Sequence, residues 1–284
     1  MSSSLIAIAD IPTISHLYKT GGLIPTSTAS RDPSKPLNKK ICLIRADITT
    51  LEVSAIVNAA NRSLLGGGGV DGAIHNAAGP KLLRECRTLG GCNTGDAKIT
   101  KAYSLPCSRV IHAVGPIYSS ENQRAPGRAK TLLQSCYRKC LELAVQNECK
   151  SLAFSALSCG AYGYPSGDAA AVACAEVRRF LEEEGNEGEF EKVVFCCFTP
   201  KDENAYKAMI PKYFPATEED APEEPEAGES EDESEATTGE EKEGEVETGK
   251  GKEVEAEAGA GKAKEAEVED DKPPAYEEED SKTA

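Results

Sequence analysis

No cysteine pair in this chain stands in a CxxC arrangement, and its three histidines, His16, His75 and His112, are scattered along the sequence. Ligands at zinc-finger spacing are therefore missing, and no metal site is expected. No GxxxxGK[ST] stretch occurs, which sets aside a P-loop nucleotide triphosphatase. No apolar run approaches the roughly 20 residues that a membrane-crossing helix needs. A secretory signal is not visible, and Asp10 with little nearby arginine argues against a mitochondrial address. The 11 cysteines are odd in number, and most, such as Cys42, Cys136, Cys140, Cys174, Cys196 and Cys197, lie inside apolar periodic segments. They are expected to be reduced thiols used as small core residues, in the cytoplasm or the nucleus.

Acidic residues outnumber basic ones by 48 to 32, but the excess is local. After Pro215 stand 28 of the acidic and 7 of the basic residues, which leaves 20 against 25 in the first 215. The body is mildly basic, so an anionic ligand is easier to hold there than the whole-chain charge suggests. Residues 216–284 are Glu, Ala, Gly, Lys and Pro with almost nothing apolar to bury. Such a segment cannot offset the entropy of ordering and is expected to be a disordered acidic tail. Its plain role is to solvate; contact with basic proteins is the sharper alternative.

Residues 1–39 read as an N-terminal extension and linker. A short helix is expected around PTISHLYK, packed on the domain surface, and residues 25–39 (PTSTASRDPSKPLNK) have linker composition. From Lys40 to Pro215 strands and helices alternate. ICLIRA (41–46), SAIVNAA (54–60), AKITKAY (97–103), RVIHAV (109–114), SLAFSAL (151–157) and KVVFCCF (192–198) read as strands, several of them covered on both faces. Helical periodicity marks 128–147 and 166–184, and a last helix spans 200–210 with Pro211 and Pro215 after it. The alternation predicts one α/β domain over residues 40–215.

Four consecutive glycines, Gly66 to Gly69, join the strand SAIVNAA to a helix pattern at about Val70 to Ala78. At a helix start, backbone N–H groups lack partners and the dipole is positive; without Cβ atoms the backbone can come close to a ligand. The combination is a cradle for an anion, most often phosphate. Asn58 and Asn61 stand just before the loop, Asp71 lies in the first helical turn, and His75 falls on its face one turn later. Polar groups around a phosphate cradle suggest a ligand with sugar and phosphate. SLAFSAL then runs into SCGAYGYPSGD, a second glycine-rich turn between strand and helix. Two such loops at strand ends suit a diphosphate held from both sides.

The stretches ADITTLEVSAIVNAAN, SLLGGGGVDGAIHNAAGPKLLREC, TGDAKITKAYSLPC, VIHAVGP and SCGAYGYP occur in this order between Ile41 and Tyr206. The set resembles the macrodomain family, specifically its MacroD-type ADP-ribosyl hydrolases. The resemblance implies a three-layer α/β/α sandwich with a mixed central sheet. It implies ADP-ribose as ligand and mono-ADP-ribosylated proteins as partners, with no cofactor, membrane or direct nucleic-acid contact, in a chain read as a monomer. Asp47 would accept a hydrogen bond from the adenine amino group beside the Ile48 backbone, and Phe198 would stack on adenine. Gly66, Gly67, Gly68, Gly69 and Val70, with Ser158, Cys159, Gly160, Ala161 and Tyr162, would enclose the diphosphate through backbone N–H groups. Asn58, Asn61, Asp71 and His75 would surround the distal ribose as the catalytic set. The family usually has Gly where Ala46 stands and often Phe where Tyr162 stands.

The implied reaction is hydrolysis of the ester between the distal ribose and an Asp or Glu side chain, with O-acetyl-ADP-ribose as a second ester. A non-catalytic ADP-ribose reader and a phosphatase for ADP-ribose 1″-phosphate are the alternatives. Asp71 could orient or deprotonate the water, helped by a phosphate of the substrate. His75 is expected to orient Asp71 rather than titrate. His112 is expected in the core, and Cys159 as lining without a nucleophile's partner.

Overall fold

The computed structural model describes residues 4–186 and 188–221. Strands β1 (Ile6–Ala7) and β3 (Leu51–Glu52) make a small parallel pair. The main sheet holds β2 (Ile41–Arg45), β4 (Ala55–Ala59), β5 (Ala97–Lys101), β6 (Arg109–Ala113), β7 (Ser151–Phe154) and β8 (Lys192–Cys197) in the order β2-β8-β7-β4-β6-β5. All its pairings are parallel except that of β5 with β6. The sheet is mixed, and helices cover both faces. The sandwich is the one that the sequence pattern and the family resemblance imply.

Strict alternation along the strands divides the core in two. Leu43, Val57, Ile111, Leu152, Phe154, Val193 and Phe195 face one side, where they meet α6 (Arg128–Gln146), α7 (Ser166–Glu182) and α8 (Pro200–Tyr213). Cys42, Ile56, Val110, Ala153 and Val194 face the other, against α3 (Gly69–Ala78) and α4 (Pro80–Thr88). Apolar residues on both faces explain why these strands read as near-continuous apolar runs. Tyr206 of α8 stacks on Phe195 at 4.6 Å between ring centroids and ties that helix to the sheet.

Helix α4 was not expected. Gly79, at φ +78°, turns the chain between α3 and α4, and Pro80 takes a first-turn position that needs no N–H. Helix α5 (Tyr118–Arg124) is likewise new, and Pro211 lies inside α8 rather than after it.

Residues 1–39 do not behave as an extension and linker. Ile14 and Tyr18 of α1 (Ile14–Lys19), Leu23, and Leu37 of α2 (Lys35–Asn38) are buried in the first core. The body also runs past Pro215. Asp220 is 2% exposed and accepts hydrogen bonds from Ser15, Asn38 (2.8 Å) and the Thr217 hydroxyl (2.8 Å). A tail beginning at 216 is thus too early, because residues 216–221 bury a carboxylate among donors from the N-terminal segment. The disorder expected of the tail concerns residues outside the described ones.

Candidate active site

Five chain segments leave the same edge of the sheet, at the carboxyl ends of its parallel strands β2, β8, β7, β4 and β6. Four interstrand spacings of about 4.8 Å spread them over about 19 Å, room for an extended dinucleotide-like molecule.

At one end of the row stand Asp47, after β2, and Phe198, after β8, since Arg45 pairs with Cys197. Phe198 is 77% exposed, a large ring left open at the end of a buried strand. Asp47 caps the turn that follows it: its Oδ1 accepts from Thr49 N at 2.9 Å and from the Thr49 hydroxyl at 2.7 Å. The Ile48 side chain is buried in the second core, so only its backbone faces the row.

The middle of the row is a cleft of about 380 Å³ between the two glycine-rich loops, lined by Gly67, Gly68, Gly69, Val70 and Asp71 on one side and Ser158, Gly160, Ala161 and Tyr162 on the other. A larger cavity of 560 Å³ lies between α5, α6 and α7, but neither glycine-rich loop's N–H groups line it. In the first loop Gly66 (φ +88°) and Gly69 (φ +61°) take left-handed torsions, and Gly68 caps α3 with no side chain. The N–H groups of Gly66, Gly67 and Gly68 find no acceptor among the described residues. Helix α3 closes tightly on the loop, for a Cβ at Gly72 would sit 2.6 Å from the Gly67 carbonyl oxygen.

In the second loop the Cys159 N–H is spent on Ala156 O (3.3 Å), and its side chain packs on the first core. Burial pushes the Cys159 thiol up to about 12. The Cys159 N–H is thus taken up within the loop, and the N–H groups without an acceptor among the described residues are those of Ser158, Gly160, Ala161 and Tyr162. Ser158 holds φ +64°, and its buried hydroxyl has no partner. It fits only because residue 115 is glycine: a Cβ there would lie 2.1 Å from the Ser158 Oγ. Gly115, which also lines the cleft, gave no sequence signal because the residue it accommodates is far away in the chain.

The four residues expected around the distal ribose do different jobs. Asp71 lines the cleft at 4% exposure. Burial raises its pKa above the ordinary 3.8, while the Asn58 hydrogen bond and His75 pull it partly back. Asn58 does not reach the ligand space. It is fully buried beneath Asp71, its Nδ2 2.7 Å from Asp71 Oδ1 and 3.1 Å from His112 Nδ1. Asn61 lines the cleft but first braces the loop: its Nδ2 donates to Gly66 O (2.8 Å), and its Oδ1 accepts from Ser63 N, the Ser63 hydroxyl and Leu64 N. His75 Nε2 sits 3.5 Å from Asp71 Oδ1, one turn along the helix, and has no hydrogen-bond partner among the described residues.

Two of the three histidines, His75 and His112, meet in space. His75, Cys86 and His112 bring ligand-type atoms within 4.8 Å of one another. The knot is nevertheless a hydrogen-bond chain. His112 Nδ1 accepts from Asn58, so its Nε2 carries the proton and donates to the Thr100 hydroxyl at 3.0 Å. Both ring nitrogens are occupied, which leaves no lone pair for an ion. Burial holds the His112 pKa down at about 3, so the ring is a neutral acceptor that fixes Asn58. A histidine inside an apolar strand is a visible oddity in the sequence, but its partner is not visible there.

With this geometry in view, comparisons with known proteins place the chain. The Macro domain family matches residues 57–173. The Macro domain-containing protein CT2219 of Chlorobaculum tepidum is 56% identical over 175 residues, covering 62% of this chain and 98% of that one. The ADP-ribose glycohydrolase MACROD1 of Bos taurus is 46% identical over 74% of this chain, and the chain spans 63% of that protein's length. Among solved structures, the Trypanosoma brucei macrodomain in complex with ADP-ribose superposes with a TM-score of 0.61 at 39% identity, over 73% of this chain and 78% of that one.

Proposed function

The chain belongs to the macrodomain family, and on that premise we propose that it is a hydrolase removing single ADP-ribose units from Asp and Glu side chains of modified proteins. The relatives supply the ligand, through a macrodomain that holds ADP-ribose and a protein named as an ADP-ribose glycohydrolase. This chain supplies the chemistry. The observation that carries the reading is a single carboxylate, Asp71, buried at the end of a cleft otherwise lined by glycines, small side chains, Asn61 and Tyr162. A site built only to hold ADP-ribose gains nothing there, since burying a charge is costly. A site that must manage a proton gains a stronger base.

Laid along the strand row, adenine meets Asp47 and Phe198, the diphosphate takes the free N–H groups of both loops, and the distal ribose reaches Asp71. Asp71 holds a water against the anomeric carbon. As the water oxygen bonds to that carbon, the bond to the acceptor's carboxyl oxygen breaks and the acceptor leaves as a carboxylate with the bonding pair. The water's proton goes to Asp71 or to a neighbouring phosphate oxygen. Helix α3 aims its positive end at the phosphates throughout. Asn58 fixes the carboxylate through a hydrogen bond to its Oδ1, and His75 stands 3.5 Å from the same oxygen. Hydrolysis of the acetyl ester of ADP-ribose needs the same water and the same grip.

Replacing Asp71 tests this directly. Asp71→Ala is expected to abolish release of ADP-ribose from a Glu-modified protein while ADP-ribose binding stays within about tenfold, or 1.4 kcal/mol, by calorimetry. Full turnover by the variant would take Asp71 out of the reaction. Incubation with Glu-, Ser- and Arg-linked substrates is expected to release label from the Glu linkage alone.

A further inference from the structure

The cleft does not stop at Asp71. At Gly67 it meets a second hollow of 450 Å³, set between the first glycine loop and the corner of α3 and α4. His75 lies between the two: it stands 3.5 Å from Asp71 of the cleft and lines the hollow, whose apolar walls are Leu65, Pro80 and Leu83. Leu65 is 45% exposed at the tip of the loop. Helix α4 buries Leu82 and Cys86, so its outer face carries Pro80, Leu83, Arg84 and Arg87 at steps of three and four residues. Both arginines are exposed, and neither forms an ion pair among the described residues. The one acid of that helix, Glu85, points elsewhere and accepts from Lys101 N (3.1 Å) and the Tyr103 hydroxyl (2.7 Å).

Direction along the row decides what belongs in this hollow. Adenine is at the β2/β8 end, so whatever hangs from the distal ribose continues past Asp71, where the hollow opens. We propose that the hollow docks the acceptor segment of the modified protein and selects acidic segments, with Arg84 and Arg87 facing carboxylates that flank the modified residue. The proposal rests on the ester-hydrolase reading above and extends it from the linkage to the polypeptide. Apolar walls receive the stem of the acceptor side chain, and the arginine row supplies charge of the opposite sign. Exposed pairs of this kind contribute about 0.2–1 kcal/mol each and weaken with salt. Two of them correspond to a preference of about fivefold.

The test uses the full chain and two Glu-ADP-ribosylated peptides, one flanked by Glu and Asp, the other by Gln and Asn. Wild type is expected to show a KM about fivefold lower for the acidic peptide, with equal kcat. In Arg84→Glu/Arg87→Glu that preference is expected to vanish or reverse, while free ADP-ribose binds as before and kcat on the neutral peptide is unchanged. Equal KM values in wild type, or an equal effect of the double variant on both peptides, overturns the proposal. If wild type cleaves neither peptide, the hydrolase reading is what fails. The hollow is then judged by calorimetry, where equal affinity for the two conjugates overturns it and a tighter acidic one upholds it. If cutting after Ala221 lowers KM for both peptides in wild type but not in the double variant, the occupant is the chain's own acidic C-terminal segment, and the proposal is wrong.

Discussion

At the scale of single residues, the site is a set of opposed influences on one carboxyl group. Burial raises the Asp71 pKa, and the Asn58 hydrogen bond opposes it. Asn58→Ala removes the lowering influence, so Asp71 takes up its proton at higher pH. The acid limb of the kcat/KM profile is expected to move to higher pH in that variant, while ADP-ribose still binds; a limb that stays in place or moves down would show that Asn58 does not act through Asp71. His112 has the opposite sign. Its folded pKa is about 3 against an ordinary 6.5, so the unfolded chain protonates first. The stability it contributes is complete above pH 6.5 and is lost as pH falls toward 3. Asp71, with its raised pKa, pushes the other way in its own window, because there the folded state holds more protons. Unfolding free energies from urea titrations at several pH values are expected to fall less steeply on acidification in His112→Gln than in wild type. Equal slopes would mean that His112 is not the group being titrated.

Elements decide which glycines are needed. An alanine in a helix interior is favoured over glycine by about 1 kcal/mol, and residue 72 is inside α3. Here the sign reverses, because the added Cβ would press on the Gly67 carbonyl at 2.6 Å, and backbone cannot step aside without moving the loop. Gly72→Ala is expected to weaken ADP-ribose binding at least about tenfold without raising the melting temperature; unchanged affinity would show that the loop tolerates the shift. The run Gly66 to Gly69 could be read as a cradle from its place between strand and helix. Gly72 and Gly115 could not, since each is glycine for the sake of an atom that folding brings to it.

For the whole molecule, the two ends of the described body hold each other. Tyr18 donates to Phe214 O at 2.8 Å, Asn38 to Pro215 O at 2.9 Å, and Arg178 to Asp32 O at 2.9 Å. Asp220 closes the clasp on Ser15 and Asn38. A chain cut after Ala221 keeps it and one cut after Pro215 does not. Leaving buried donors unpaired costs about 3 kcal/mol in total, and at about 2–4 °C per kcal/mol the shorter chain is expected to melt roughly 6–12 °C lower. Equal melting temperatures would show that the clasp is decorative. Composition alone placed this boundary too early, because Thr217, Glu218, Glu219 and Asp220 look like the acidic run that follows them.

Sequence alone determined the alternation of strands and helices and the place of the glycine run between them. Strand and helix periods depend on which residue follows which, and a glycine run at a strand–helix junction reads as a tight turn or as an anion cradle. The ordered motifs also determined the family. Only tertiary structure decided that Asn58 lies buried against Asp71, that His112 fixes Asn58, that Cys159 turns inward, and that Pro80 and Leu83 of α4 line a hollow beside the first glycine loop. Those are relations between segments brought together by a parallel sheet, whose crossover connections separate spatial neighbours by tens of residues in the chain. A hydrogen bond or a clash forms across that separation only once the sheet has set the distance.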